Sequence, residues 1–111
     1  MEISIEQSKS YTVARVAGAL STEDAEQFIE RMHPLVSERG SKVIVGLDQV
    51  TSISSSGLSA LVSIATHARL AEGRVILVGP SKFVKGILEV TELDHWFEVC
   101  DDYAEAEQRL A

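Results

Sequence analysis

Residues 2–7, EISIEQ, place apolar side chains at every second position, and residues 11–20, YTVARVAGAL, repeat the pattern over a longer run. Alternation of this kind marks a strand with one buried face, and the intervening SKS has the polar make-up of a short turn. The two segments are therefore predicted as strands of an antiparallel hairpin. The period changes in STEDAEQFIERMHPLVSERG (21–40), where Ala25, Phe28, Ile29, Met32 and Val36 fall on one helical face. Ser21 reads as the N-cap of this helix, Glu23 and Asp24 suit the positive end of its dipole, and Gly40 reads as its stop. Pro34 interrupts the pattern. It lacks an amide hydrogen and crowds the preceding turn, so a kink or break is predicted near His33.

KVIVGL (42–47) is a continuous apolar run, the signature of a strand covered on both faces. Residues 57–72 make the clearest helix, with Leu58, Leu61, Val62, Ala65 and Ala68 on its apolar face and Ser59, Ser63, Thr66 and Arg69 elsewhere. RVILVG (74–79) is a second buried strand, and PSKFVKGILEV (80–90) a helix with Phe83, Val84, Ile87 and Leu88 inward. FEVC (97–100) reads as a short last strand, with Trp96 and Phe97 packing at the sheet edge. DDYAEAEQRL (101–110) reads as a terminal helix begun by Asp101 or Asp102. The order is β-β-α-β-α-β-α-β-α. Helical crossovers between buried strands imply parallel pairing, so the chain is predicted as α/β with a mixed, mostly parallel sheet and an antiparallel edge.

Composition narrows the function classes. A chain of 111 residues, 45% apolar and 24% charged, suits one globular domain over 1–111. Its net charge of −7 opposes nucleic-acid phosphates and anionic lipid, and its ten Lys and Arg form no basic stripe. No apolar run approaches the ~18 residues of a membrane span, and MEISIEQ lacks the basic start of a signal peptide. A cytoplasmic location is expected. Cys100 stands alone, and His33, His67 and His95 lie on different elements without ligands at metal spacing, so no metal or cofactor is expected.

The chemistry gathers in VTSISSSGLSALVSIA (50–65), where a strand passes into a helix through Ser54, Ser55, Ser56 and Gly57. In open α/β sheets, binding sites form at the carboxyl ends of strands, and a helix N-terminus there favours negative charge. One hydroxyl suffices for a cap, which leaves two in excess. A nucleophile elbow would use Ser55, with His95 beside Asp94 recruited as base, but Ile53 replaces the first glycine of G-x-S-x-G and the chain is far shorter than a usual hydrolase of that fold. A Walker-type loop fails because no Lys follows Gly57. A receiver domain fails because Asp48 has no acidic pair near the first strand.

Three separated motifs decide between these readings. GALSTEDA, VIVGLDQVTSISSSGLSALV and VILVGPSKFVKGILEVTELDHWFEV stand in the order and spacing of the STAS domain, and the chain resembles its bacterial anti-sigma factor antagonists over essentially its whole length. The resemblance implies a single STAS domain that is a binding protein, not an enzyme. It implies that Ser55 accepts phosphate from a serine kinase that doubles as anti-sigma factor, and that only the unphosphorylated form binds that kinase. Ser21, Thr22, Ser54, Ser56 and Gly57 are then the partner-binding residues around it. Two departures stand out: Ser54 replaces the family's Asp, and GALS replaces GELD, so Ala19 and Ser21 stand where acids are usual. A STAS module that is never phosphorylated, docked permanently on a transporter, a lipid-transport complex or a signalling assembly, is the alternative; a serine hydrolase is a minor one.

Overall fold

β1 (Glu2–Gln7) and β2 (Thr12–Leu20) pair antiparallel, with Ile3 opposite Val16 and Ile5 opposite Ala14. The period of two sends these four side chains to one face, where they join the main core. The structure, a computed structural model, describes residues 1–111. β3 (Lys42–Ile53) pairs parallel with β2, β4 (Arg74–Val78) with β3, and β5 (Glu98–Cys100) with β4, so the strand order is β1-β2-β3-β4-β5. The connections are α1 (Thr22–Val36), α2 (Ser55–Leu70) and α3 (Lys82–Val90), and α4 (Tyr103–Leu110) closes the chain.

The inner strands are apolar throughout because both faces are covered. Val43, Val45 and Leu47 of β3 pack with Phe28, Met32 and Val36 of α1 and with Leu61 and Ile64 of α2. Ile44 points the other way, to Ile76, Val78 and Cys100 of the sheet and Ala106 and Leu110 of α4. The next residue on that second face is Gly46. A Cβ there would stand 2.0 Å from the Tyr103 hydroxyl, so the missing side chain is the seat of the tyrosine. Tyr103 donates a hydrogen bond to Asp48 Oδ1 at 2.9 Å, and the Arg15 guanidinium lies 5.0 Å from its ring centroid. Asp102 caps α4 by accepting from the Glu105 amide at 2.8 Å.

Several boundaries differ from the sequence reading. β3 runs on to Ile53, six residues past the apolar stretch, because its polar second half has left β4 behind and pairs with β2 alone. Two register shifts in that pairing fall where the strand changes character. α2 spans 55–70, not 57–72, and its buried face is Gly57, Ala60, Leu61, Ile64, Ala65 and Ala68. Leu58 and Val62 are only half-buried, so the face is turned toward Ile64.

α1 does not break at His33: it continues through Pro34 and ends at Val36. Pro34 sits in the last turn, where a missing amide hydrogen removes one bond, and the Ser37 amide and hydroxyl both bond the His33 carbonyl. Gly40, at φ +72°, shapes the turn into β3 and is not the helix stop. In α3, Val84 and Leu88 are buried, but Phe83 is 57% exposed, against the expectation that it points inward. Phe97 is buried in the main core, stacked edge-on with Trp96 at 4.9 Å, just before β5 begins at Glu98.

The Gly46 seat and the Tyr103 phenol each yield a prediction. Gly46→Ala is expected to lower stability to urea by about 1–3 kcal/mol, and most of that loss should vanish in a Tyr103→Ala background. Burial first, and the bond to Asp48 second, push the Tyr103 phenol up to about 12. An unfolded tyrosine titrates near ~10, so above that pH the unfolded chain holds fewer protons than the native one. The contribution is full below pH ~10 and is lost as pH rises toward the native value. Urea unfolding between those limits should fall more steeply for wild type than for Tyr103→Phe.

Candidate functional site

β2 and β3 run parallel and end together, with Ala19 opposite Ser52 and Leu20 opposite Ile53. One residue further, the Ser54 amide donates to the Leu20 carbonyl at 3.0 Å. The chain then turns into α2. Ser54, in extended conformation, is the N-cap: its hydroxyl accepts from the Gly57 amide at 3.0 Å and its carbonyl from the Leu58 amide at 2.8 Å. Serine does this well because its short side chain reaches back to the third amide of the helix.

Gly57 is where the helix meets the sheet. A Cβ at this residue would lie 2.5 Å from the Leu20 carbonyl oxygen and 2.9 Å from the Leu20 side chain. The approach is backbone against backbone, so a side chain has nowhere to go. Leu20 carries no chemical signature in the sequence, and its part in the site comes from this contact.

The three hydroxyls are thus unequal. Ser54 is half-buried and occupied by the cap. Ser55, the first residue of α2, is exposed, and its hydroxyl makes no hydrogen bond within the chain; Ser56 is half-buried and likewise unbonded. No acidic side chain lies in the first turn of α2. The Ser55 hydroxyl therefore stands free beside the amide-rich, positively polarised end of a sixteen-residue helix.

Ser21 and Thr22 sit directly after Leu20 and so border the same surface. Ser21 occupies the N-cap position of α1 but makes no side-chain cap bond; its hydroxyl donates to Asp24 Oδ2 at 2.7 Å instead. That bond is the main cause holding the Asp24 carboxyl below its usual range. Thr22 is exposed at the start of α1. The structure therefore brings Ser21, Thr22, Ser54, Ser55, Ser56 and Gly57 to one end of the sheet, with Asp24 an unforeseen member of the cluster.

The histidines are elsewhere. α1 and α2 start at the carboxyl end of the parallel strands, so His33 and His67, late in those helices, lie toward the opposite end, with ring centroids 5.2 Å apart. His95 is in the connection entering β5, also at the amino end, and faces Asp94 at 3.5 Å. None reaches Ser55, so the nucleophile-elbow arrangement lacks its base. No group of three His, Cys, Asp or Glu side chains is placed to hold a metal ion. No helix is long and apolar enough to cross a membrane.

The chain is thus an α/β layer with a free serine at the amino end of the helix after its third strand. The chain belongs to the STAS domain family, whose family model matches residues 2–106. Solved structures agree with the fold. A Thermotoga maritima protein superposes with a TM-score of 0.87 at 22% identity, over 97% of this chain and 93% of that one. The anti-sigma factor antagonist SpoIIAA in its unphosphorylated form gives 0.79 at 20% identity, over 97% and 95%. The Bacillus cell fate determinant SpoIIAA in its phosphorylated form gives 0.75 at 19%, over 99% and 100%. At these identities the likeness is one of fold.

A substitution series separates the roles of the loop residues. Ser54→Ala is expected to cost about 1 kcal/mol through the lost cap, and Ser54→Asp much less, since Asp caps as well. Gly57→Ala should cost about 3 kcal/mol, because a backbone carbonyl has no room to retreat. Ser55→Ala should stay within about 0.5 kcal/mol of wild type. Urea midpoints at constant m-value provide the check, and a large loss for Ser55→Ala would show that its hydroxyl is structural.

Proposed function

We propose that this protein is an anti-sigma factor antagonist whose binding is switched by phosphorylation of Ser55. The observation that carries the reading is the division of labour in the loop: Ser54 is consumed by the cap while Ser55 is exposed and unbonded. In this reading the partner is an anti-sigma factor serine kinase. It docks on the surface formed by Ser21, Thr22, Ser54, Ser56 and Gly57, and the domain has no catalytic activity of its own.

The chemistry of the switch follows from charge. Transfer of the γ-phosphoryl group of ATP to the Ser55 oxygen forms a phosphoserine, releases ADP and delivers the hydroxyl proton to the kinase's base. The product carries about −1.5 to −2 charges. Within the free domain the amino end of α2 offsets part of that charge. A partner covering the loop would have to desolvate a near-dianion, and a loss of about 3 kcal/mol already weakens binding more than a hundredfold. No internal rearrangement is required. The module resides in the cytoplasm with its kinase.

The reading is tested by mapping the phosphate and measuring affinity. Incubation with the kinase and ATP should label Ser55 and neither Ser54 nor Ser56, as read by mass spectrometry. Affinity for the kinase should fall by about a hundredfold or more on phosphorylation, fall partly in Ser55→Glu, and persist in Ser55→Ala. Label at another residue, or tight binding by Ser55→Glu, would overturn the switch and favour a permanently docked STAS subunit, the role compatible with Ser54 standing in place of the family's Asp.

A further inference from the structure

α3 carries a second apolar surface on its outer side. Its buried side uses Val84 and Leu88, but its outer side is also apolar: Phe83 is 57% and Val90 86% exposed. With Ile87 they line a shallow groove of about 440 Å³ whose remaining walls are Lys82, Gly86 and Thr91. A nine-residue helix that is apolar on two sides is unusual for an isolated surface element, where the outer face is normally polar.

We propose that this face binds α3 of a second copy of the chain in an antiparallel, two-fold symmetric pairing. Three features of the helix select that occupant. Lys82 and Glu89 lie on the same flank of the apolar stripe, seven residues or about 10 Å apart, and neither enters an ion pair within the chain. Lys85, by contrast, is already held by Asp101 at 3.7 Å. An antiparallel copy sets Lys82 of each helix against Glu89 of the other, whereas a parallel two-fold copy puts the charged flanks on opposite sides of the seam and pairs neither residue. Gly86 stands midway between the two charges on the outer side, and a Cβ built there would meet nothing within 4 Å. The two-fold axis passes beside Gly86, where the bare backbone lets the helices approach closely and brings Phe83 of one copy toward Val90 of the other. The charge pattern is thus complementary to itself, which an unrelated partner would not require.

Sedimentation equilibrium of the whole chain, from micromolar to millimolar, tests this. Wild type is expected to dimerise reversibly. Phe83→Ser/Val90→Ser should weaken the dimer by about tenfold or more, with the fold unchanged by circular dichroism. Lys82→Glu alone and Glu89→Lys alone should each weaken it several-fold, and the double exchange Lys82→Glu/Glu89→Lys should restore it. That restoration separates antiparallel pairing from nonspecific apolar association. A wild type that stays monomeric at millimolar concentration, association indifferent to the Phe83/Val90 change, or charge reversals that fail to compensate would each overturn the proposal. None of these readouts involves Ser55, so the dimer and the phosphorylation switch stand or fall separately.

Discussion

Everything at the candidate site rests on the close approach of Gly57 to Leu20. A helix following a parallel strand can lean away from the neighbouring strand or lie against it, and the side chain at the contact decides. Here the contact residue has none, so the amino end of α2 sits directly on the end of β2, with the Leu20 carbonyl 2.5 Å from where a Cβ would be. The Ser54 amide uses that same carbonyl as its acceptor. One peptide group therefore fixes the last turn of β3, the cap of α2 and the seat of Gly57 together. Ser55 is exposed at the first position of the helix because the residues on either side of it are held inward.

The second sheet face uses the same device differently. Gly46 leaves a gap that Tyr103 fills from α4, and the phenol reaches Asp48 while Arg15 stands over the ring. Asp48 belongs to the half of β3 that pairs only with β2, just beyond the end of β4. The tyrosine thus ties the terminal helix to the point where β3 leaves the central sheet. Glycine serves at both places because the close approach of another group, not freedom of the chain, demands it.

How much of this was legible depends on what the pattern encodes. Periodicity gave the element order and both sheet faces, since burial on one or two sides writes itself into alternation or continuity. It missed the second half of β3, because Asp48, Gln49, Thr51 and Ser52 are polar and their strand conformation comes from pairing with β2. It started α2 two residues late, because serines in a first turn look like loop, and hydroxyls do not announce which of them caps. It turned Phe83 inward because hydrophobicity was read as burial. That inference fails on α3, where five apolar positions, Phe83, Val84, Ile87, Leu88 and Val90, span more of the helix than the core can cover. Pro34 predicts a kink or a break by its type, but in the last turn of α1 it removes one bond only and the helix runs on to Val36. The site's motif was visible in S-S-G; its geometry, through Leu20, lay in a residue with no chemical signature.

The replacement of the family's acid by Ser54 bears on charge alone. Serine and aspartate cap a helix about equally, so the turn and the exposure of Ser55 are kept by either. What changes is the field at Ser55. The first turn of α2 carries no acid, and the carboxylate in the cluster, Asp24 on the neighbouring helix, accepts from the Ser21 hydroxyl and faces the amino terminus at 3.8 Å. In the proposed switch the phosphate takes this position from neutral to about −2, a change of sign relative to the helix's own partial charge. An aspartate at residue 54 would have set both states one charge more negative and would have required a basic patch on the partner even before modification. A serine there makes a different demand. In the proposed switch a partner matches the shape and hydrogen bonds of this loop, and the phosphate supplies the change in charge that discriminates the two states.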